Sequence, residues 1–331
     1  MIDIHSNRAF HGQRVKLYLD DISVTDSAPF VNVTKDGVVR GHDILSRNPY
    51  EVSYLSYYRE VPESAANRAF NSSFELGMKD WFPMVQRSQD RERRGKRIEL
   101  PDPGALFRIA SPSDAPHGKR VFKVERNGKK NYVTLRSLPL QIQDGKDYVL
   151  SFYAWASKPT LLRVNSRQVK LSTGWKRFVV PFPRIACYQT WNKKKFPGRF
   201  ELNFTNEDDA DLQLDAIQFQ RAPLIGYRGH GIVQFAAKPR TRYGLYRPGS
   251  TPEFEVTLFN DASEKRSSVL RWEMKNYRRD VIAKGEKTVV LNAGTGDSFR
   301  ISAPAGLRHC TLSAVLEAPG QKSQSCTVSA S

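Results

Sequence analysis

Cysteine is nearly absent: three residues in 331, Cys187, Cys310 and Cys326, too few for a disulfide-stapled scaffold and without metal-site spacing. Histidine is sparse too, and His5, His11, His42, His117, His230 and His309 form no cluster for a transition metal. No apolar run approaches membrane-spanning length, and no charged-then-apolar leader follows Met1, so membrane insertion is not expected. Gly-x-Ser-x-Gly, His-Glu-x-x-His and a Gly-rich phosphate loop are all missing, which removes the common nucleophilic, zinc-hydrolase and nucleotide-binding readings. No Cys/His finger or aromatic RNP strand points to nucleic acid. No long amphipathic helical stretch is present.

What remains is rich in strand and turn formers. Aromatics make up 11% of the chain, and Gly (21) and Pro (19) are frequent, a composition suited to many short strands joined by tight turns. The length is enough for two domains, each burying its own core. Lys and Arg outnumber Asp and Glu by 52 to 34, a formal charge of +18. Two readings of that charge stand: a polyanionic partner such as a sulfated or uronic-acid polysaccharide, or a solvated basic surface.

Residues 14–26 (RVKLYLDDISVTD) alternate Val15, Leu17 and Leu19 against polar neighbours, which is strand periodicity. Leu19-Asp20-Asp21-Ile22 repeats the pattern Leu214-Asp215-Ala216-Ile217, so residues 1–69 read as the tail of a preceding module plus a linker, inside a longer protein. Tyr54, Tyr57 and Tyr58 in that linker read as packing residues.

The middle of the chain carries an ordered set. Asn71 to Trp81 (NSSFELGMKDW) reads as a short strand and Gly turn. It is followed by Gly118 to Glu125 (GKRVFKVE), Lys146 to Ala156 (KDYVLSFYAWA), Thr173 to Phe182 (TGWKRFVVPF) and Leu212 to Phe219 (LQLDAIQF). Asn-x-x-Phe-Glu-x-Gly with a following Trp, then Tyr-x-Leu-Ser-Phe, Trp-x-x-Phe and Leu-Asp-x-Ile resembles the cellulose- and xylan-binding jelly-roll carbohydrate-binding modules of families four, nine and twenty-two. The resemblance covers residues 70–221. It implies a jelly-roll β-sandwich, a glycan groove on one sheet, core positions for Trp81 and Trp175, and a structural calcium with Glu75 and Asp215 among its ligands. Hard carboxylate oxygens at strand edges suit Ca²⁺, and surface carboxylates satisfied by local lysines are the other reading.

Alternation along the strands selects the candidate groove residues. Leu150, Phe152, Ala154 and Ala156 form one side of 148–156, leaving Tyr153 and Trp155 on the other. Phe200, Leu202 and Phe204 turn Glu201 and Asn203 outward, and Leu162 and Val164 do the same for Arg163. Tyr153, Trp155, Arg163, Glu201 and Asn203 together supply flat rings for pyranose faces and planar polar groups for hydroxyls. Tyr188 and Trp191, beside Lys193, Lys194 and Lys195, form either a stacking platform with a cationic rim or a hairpin tip.

Residues 222–331 change pattern. Tyr246-Arg247-Pro248-Gly249, the alternation Phe254, Val256, Leu258 ending at Asn260, and a strand bearing Trp272 resemble the immunoglobulin-like accessory domains of polysaccharide-degrading enzymes, with Trp272 as core aromatic. Cys310 and Cys326 flank Gly320 and read as either facing each other across a hairpin or free buried thiols. The whole is all-β: a jelly roll followed by an immunoglobulin-like sandwich. The expected function is non-catalytic polysaccharide binding by a monomeric accessory region of a secreted or cell-surface multimodular enzyme, the catalytic domain lying outside this chain. A β-sandwich polysaccharide lyase or hydrolase and a structural or adhesion protein remain as alternatives.

Overall fold

The computed structural model describes residues 67–86, 107–126, 132–186, 188–189, 195–196, 198–206, 208–241, 244–247, 249–304, 306–307 and 309–330. The readings of residues 1–66, of Trp191 and of Cys187 lie outside them. The described residues contain no helix long and apolar enough to cross a membrane, and the elements are all β.

In chain order the strands of the first half are β1 (Trp81–Gln86), β2 (Phe107–Ala110), β3 (Val121–Val124), β4 (Tyr132–Ser137), β5 (Leu140–Gln141), β6 (Tyr148–Ala156) and β7 (Thr160–Val164). They continue with β8 (Arg167–Leu171), β9 (Lys176–Phe182), β10 (Tyr188–Gln189), β11 (Lys195–Phe196), β12 (Arg199–Phe200), β13 (Asn203–Asn206) and β14 (Leu212–Arg221). Two five-stranded antiparallel sheets form, ordered β1-β4-β13-β7-β8 and β2-β3-β14-β6-β9. They pack face to face over one core. Period-two alternation decides which side chains enter it: Leu150, Phe152 and Ala154 from β6 meet Leu162, Val164 and Phe204 from the opposite sheet. Phe152 and Phe204 touch edge to face at 5.2 Å, and Trp81 lies 6.2 Å from Phe204.

The stretch before β1 is not a strand. Asn71, Phe74 and Asp80 have φ of 45°, 57° and 67°, so residues 70–80 form successive turns rather than an extended segment. Asn71 holds them: its Oδ1 accepts from Leu76 N at 2.9 Å, its Nδ2 donates to the Gly77 and Lys79 carbonyls at 2.8 Å, and its own carbonyl accepts from Trp81 Nε1 at 3.1 Å. Asx side chains compete with the ladder in this way. The Phe/Leu alternation survives as packing, since Phe74 enters this core and Leu76 a separate small cluster, and Trp81 enters the core as well. Trp175 does not: it is only partly buried, outside the core cluster, and β9 begins one residue later.

The second half comprises β15 (Val233–Pro239), β16 (Glu253–Asn260), β17 (Arg266–Asn276), β18 (Val281–Leu291), β19 (Gly296–Ser302), β20 (Cys310–Glu317) and β21 (Gln324–Ala330). Sheets ordered β15-β16-β19 and β18-β17-β20-β21 enclose a second core, in which Phe254, Val256 and Leu258 are fully buried. Trp272 packs against that core from its edge, over Gly285, its register partner on β18. Cys310 and Cys326 are free and buried. The hairpin register sets Cys310 opposite Ala330 and Cys326 opposite Ala314. Four residues of strand, roughly 13 Å, therefore separate the two thiols, and the cross-strand facing pair is corrected.

Between the cores runs a buried seam. Leu76 packs with Ala236 and Phe259 across it. Asn71 N donates to Gln234 Oε1 at 2.9 Å, Asn67 O meets the His230 ring at 2.6 Å, and Ser72 Oγ bonds the Tyr227 hydroxyl at 2.9 Å. Asp261, buried, accepts from His230 N at 2.5 Å and from Gln234 Nε2 at 3.3 Å.

Candidate functional site

The expected groove residues divide between two faces. Arg163, Glu201 and Asn203 belong to the outward face of the first sheet. Tyr153 and Trp155 stand on the outward face of the second sheet, partly buried. One aromatic-core sandwich lies between, so outward residues of the two sheets point in opposite directions. The single five-residue groove is therefore corrected to two separate surfaces. Tyr188 lies on β10 opposite Phe196, and Trp191 is outside the described residues.

On the first sheet, register brings further residues into rows. Phe82, Arg136 and Asn203 are aligned across β1, β4 and β13, and Thr134, Thr205, Arg163 and Gln168 across β4, β13, β7 and β8. Glu201 is 2% exposed and forms an ion pair with Arg136. Arg136 Nε also donates to Asn203 Oδ1 at 3.1 Å. Asn165, in the β7–β8 turn at φ 53°, closes the network by donating to the Glu201 carbonyl at 2.8 Å and accepting from Asn203 N at 3.2 Å. Thr134 and Thr205 share a hydrogen bond at 3.0 Å and are 2% and 5% exposed.

Polar side chains on the outward face of a two-layer sandwich normally meet water. Here Thr134, Thr205 and Glu201 are buried and Arg136, Asn165 and Asn203 half-buried, forming a polar floor with Arg163 and Gln168 exposed at its side. A buried carboxylate under a half-buried guanidinium is expensive to desolvate and does not explain itself by stability. Arg136, Thr134 and Thr205 were not among the sequence candidates, and Asn165, which alternation turns outward with Arg163, stood outside the groove set. The signal was present, since Val133 and Leu135 enter the core and leave Thr134 and Arg136 outward by the same period-two rule that placed Tyr153.

On the second sheet, Trp155 is aligned with Gln213, Lys123 and Arg108 across β6, β14, β3 and β2, and Tyr153 with Arg177 on β9. Glu125 is paired with both Arg108 and Lys123. Nearer the seam, the 222–230 segment crosses this face: Arg177 donates to the Ile225 carbonyl at 3.1 Å and Gln218 Oε1 accepts from Arg228 N at 3.1 Å.

Glu75 and Asp215 are buried, at 9% and 0% exposure. Glu75 Oε1 accepts from Lys119 N at 2.6 Å and Arg120 N at 2.9 Å. Gly118 permits this approach, because a Cβ there would lie 2.2 Å from that oxygen. Asp215 sits at a bulge in β14, where its oxygens accept from His117 N at 2.8 Å and Ala216 N at 2.6 Å. Burial raises the Glu75 carboxyl and pushes Asp215 up to about 8, with the Glu75 charge adding to the Asp215 shift. Carboxylate oxygens are the donor type a hard cation takes, and Lys119 and Arg120 already oppose the Glu75 charge. Among the described residues no group of three or more His, Cys, Asp or Glu is arranged to hold a metal.

No family model matches the sequence, and no curated protein matches it. Among solved structures, TmCBM61 in complex with β-1,4-galactotriose aligns with TM-score 0.32 and 15% identity over 47% of this chain and 99% of that one. A family 16 carbohydrate-binding module aligns with TM-score 0.30 and 18% identity over 46% and 99%. Bacteroides uniformis β-glucuronidase 2 aligns with TM-score 0.26 and 12% identity over 76% of this chain, which spans 32% of that enzyme. Likeness of this size carries no argument about what this chain binds.

Proposed function

We propose that the chain is a non-catalytic polysaccharide-binding region, with a jelly-roll module over residues 70–221 and an immunoglobulin-like sandwich over 222–331, serving a larger carbohydrate-active enzyme outside the cell. The observation that carries the reading is the recessed polar floor of the first sheet. Arg136, Glu201, Asn203 and Asn165 hold one another in fixed orientation, and preorganised planar polar groups are what sugar hydroxyls require. Arg163 and Gln168 at the side supply an exposed cation and amide for the same chain. With the formal charge of +18, the reading extends to a preference for anionic glycans.

A calcium ion held by Glu75 and Asp215 is part of the proposal. It is supported by two desolvated carboxyls that repel each other and that a divalent cation would neutralise. Its place would be structural, beside the seam.

Affinity electrophoresis of the full chain in neutral (xylan, β-glucan, β-galactan) and acidic (polygalacturonate) gels tests the floor. Arg163→Ala and Asn203→Ala should be retarded less than the wild type while keeping its melting temperature. Equal retardation of both variants in every gel rejects the first sheet as the binding face.

A further inference from the structure

The second sheet carries its own unmet chemistry, independent of the polar floor. Trp155 and Tyr153 lie along β6, each partly exposed. On the β14 side of Trp155, the Gln213 amide Oε1 is buried with no donor. On the β9 side of Tyr153, the Arg177 Nε is buried with no acceptor. The remaining Arg177 bonds go to neutral oxygens, Ser151 Oγ at 2.9 Å and the Ile225 carbonyl. Among the described residues its charge therefore faces no carboxylate, while Arg108 and Lys123 share the single carboxylate of Glu125. Unsatisfied polar atoms beside partly exposed aromatic residues are costly and call for a partner.

We infer that this face is a second polysaccharide site that takes an acidic chain of the uronate class, on the side of the sandwich opposite the polar floor. Pyranose faces stack on Trp155 and Tyr153, a ring hydroxyl donates to Gln213 Oε1, and the uronate carboxylate accepts from Arg177, with Lys123 three strands away on β3 facing another part of the chain. Stacking fixes the chain, and the cations select its charge. Two sites facing opposite ways let one molecule hold two polymer chains at once.

The test is affinity electrophoresis of the full chain in polygalacturonate, with Trp155→Ala, Arg177→Gln and Arg163→Ala as variants. The site predicts that Trp155→Ala and Arg177→Gln each bind about tenfold more weakly than their parent, whether that parent is the wild type or Arg163→Ala. Should Trp155→Ala not fold, Trp155→Phe and Gln213→Leu replace it, the first keeping and the second losing retardation. Wild-type retardation of both Trp155→Ala and Arg177→Gln, or no retardation of the wild type, overturns the inference. So does equal retardation by duplex DNA, which would reduce the face to unselective positive charge. Loss in Arg163→Ala alone overturns it while leaving the first sheet as the binding face.

Discussion

Lys79 of the first sandwich donates its ammonium to the Phe235 carbonyl of the second and lies 5.0 Å above the Phe235 ring. The side chain is 2% exposed, so a cation of one core is seated at the wall of the other. Buried donors and acceptors of this kind bind the two sandwiches into one unit, because separating them would leave polar atoms without partners.

Calorimetry of the full chain should accordingly show one transition covering both sandwiches. Lys79→Ala leaves the Phe235 carbonyl without its donor and should cost about 1–3 kcal/mol. Two separate wild-type transitions would contradict the seam as a coupling element.

Asp261 makes the seam pH-dependent. Burial pushes its carboxyl from the ordinary 3.8 to about 7, the His230 N–H opposing and the Glu75 charge adding. Between these values the unfolded chain has released a proton that the native chain still holds, so this group makes stability fall as pH rises from about 4 to 7. Asp261→Asn keeps an acceptor and removes the charge. Melting temperatures at pH 5 and pH 8 should differ less in the variant than in the wild type; an unchanged difference contradicts the assignment.

Gly285 and Trp272 give a packing test. A Cβ on Gly285 would lie 2.5 Å from the indole Cζ2, so Gly285→Ala should destabilise by about 1–3 kcal/mol. Restoration in Gly285→Ala/Trp272→Leu identifies the clash as the cause. Wild-type stability of the single variant would show the ring free to move aside.

If Glu75 and Asp215 hold calcium, chelation should lower the melting temperature, since the ion binds only the folded state. Superimposable melting curves in calcium and in chelator, with ion-free protein by elemental analysis, reject it.

Much of the sandwich was legible because alternation is a local signal. Leu150 and Phe152 turn inward and Tyr153 and Trp155 outward as their spacing requires. What alternation does not carry is which sheet a strand joins. β13 pairs with β4 and β7 while β6 pairs with β14 and β9, and long-range pairing alone separated Trp155 from Glu201. Asn71 to Trp81 misled for another reason: Phe74 and Leu76 have strand spacing, but the Asn71 side chain supplies hydrogen bonds that a ladder would otherwise provide. Cys310 and Cys326 are nearly symmetric about Gly320 in sequence, yet the β20–β21 register, in which Leu316 faces Gln324, sets them four residues apart.

The central claim is that the polar floor of the first sheet binds polysaccharide. Isothermal titration of the full chain with whichever polymer retards it in the neutral and acidic gels, comparing wild type with Asn203→Ala, tests it most directly. The account predicts saturable wild-type binding without turnover and about tenfold weaker binding by a variant with wild-type melting behaviour. Equal affinities, or release of shortened glycan from the titrated polymer, would contradict it.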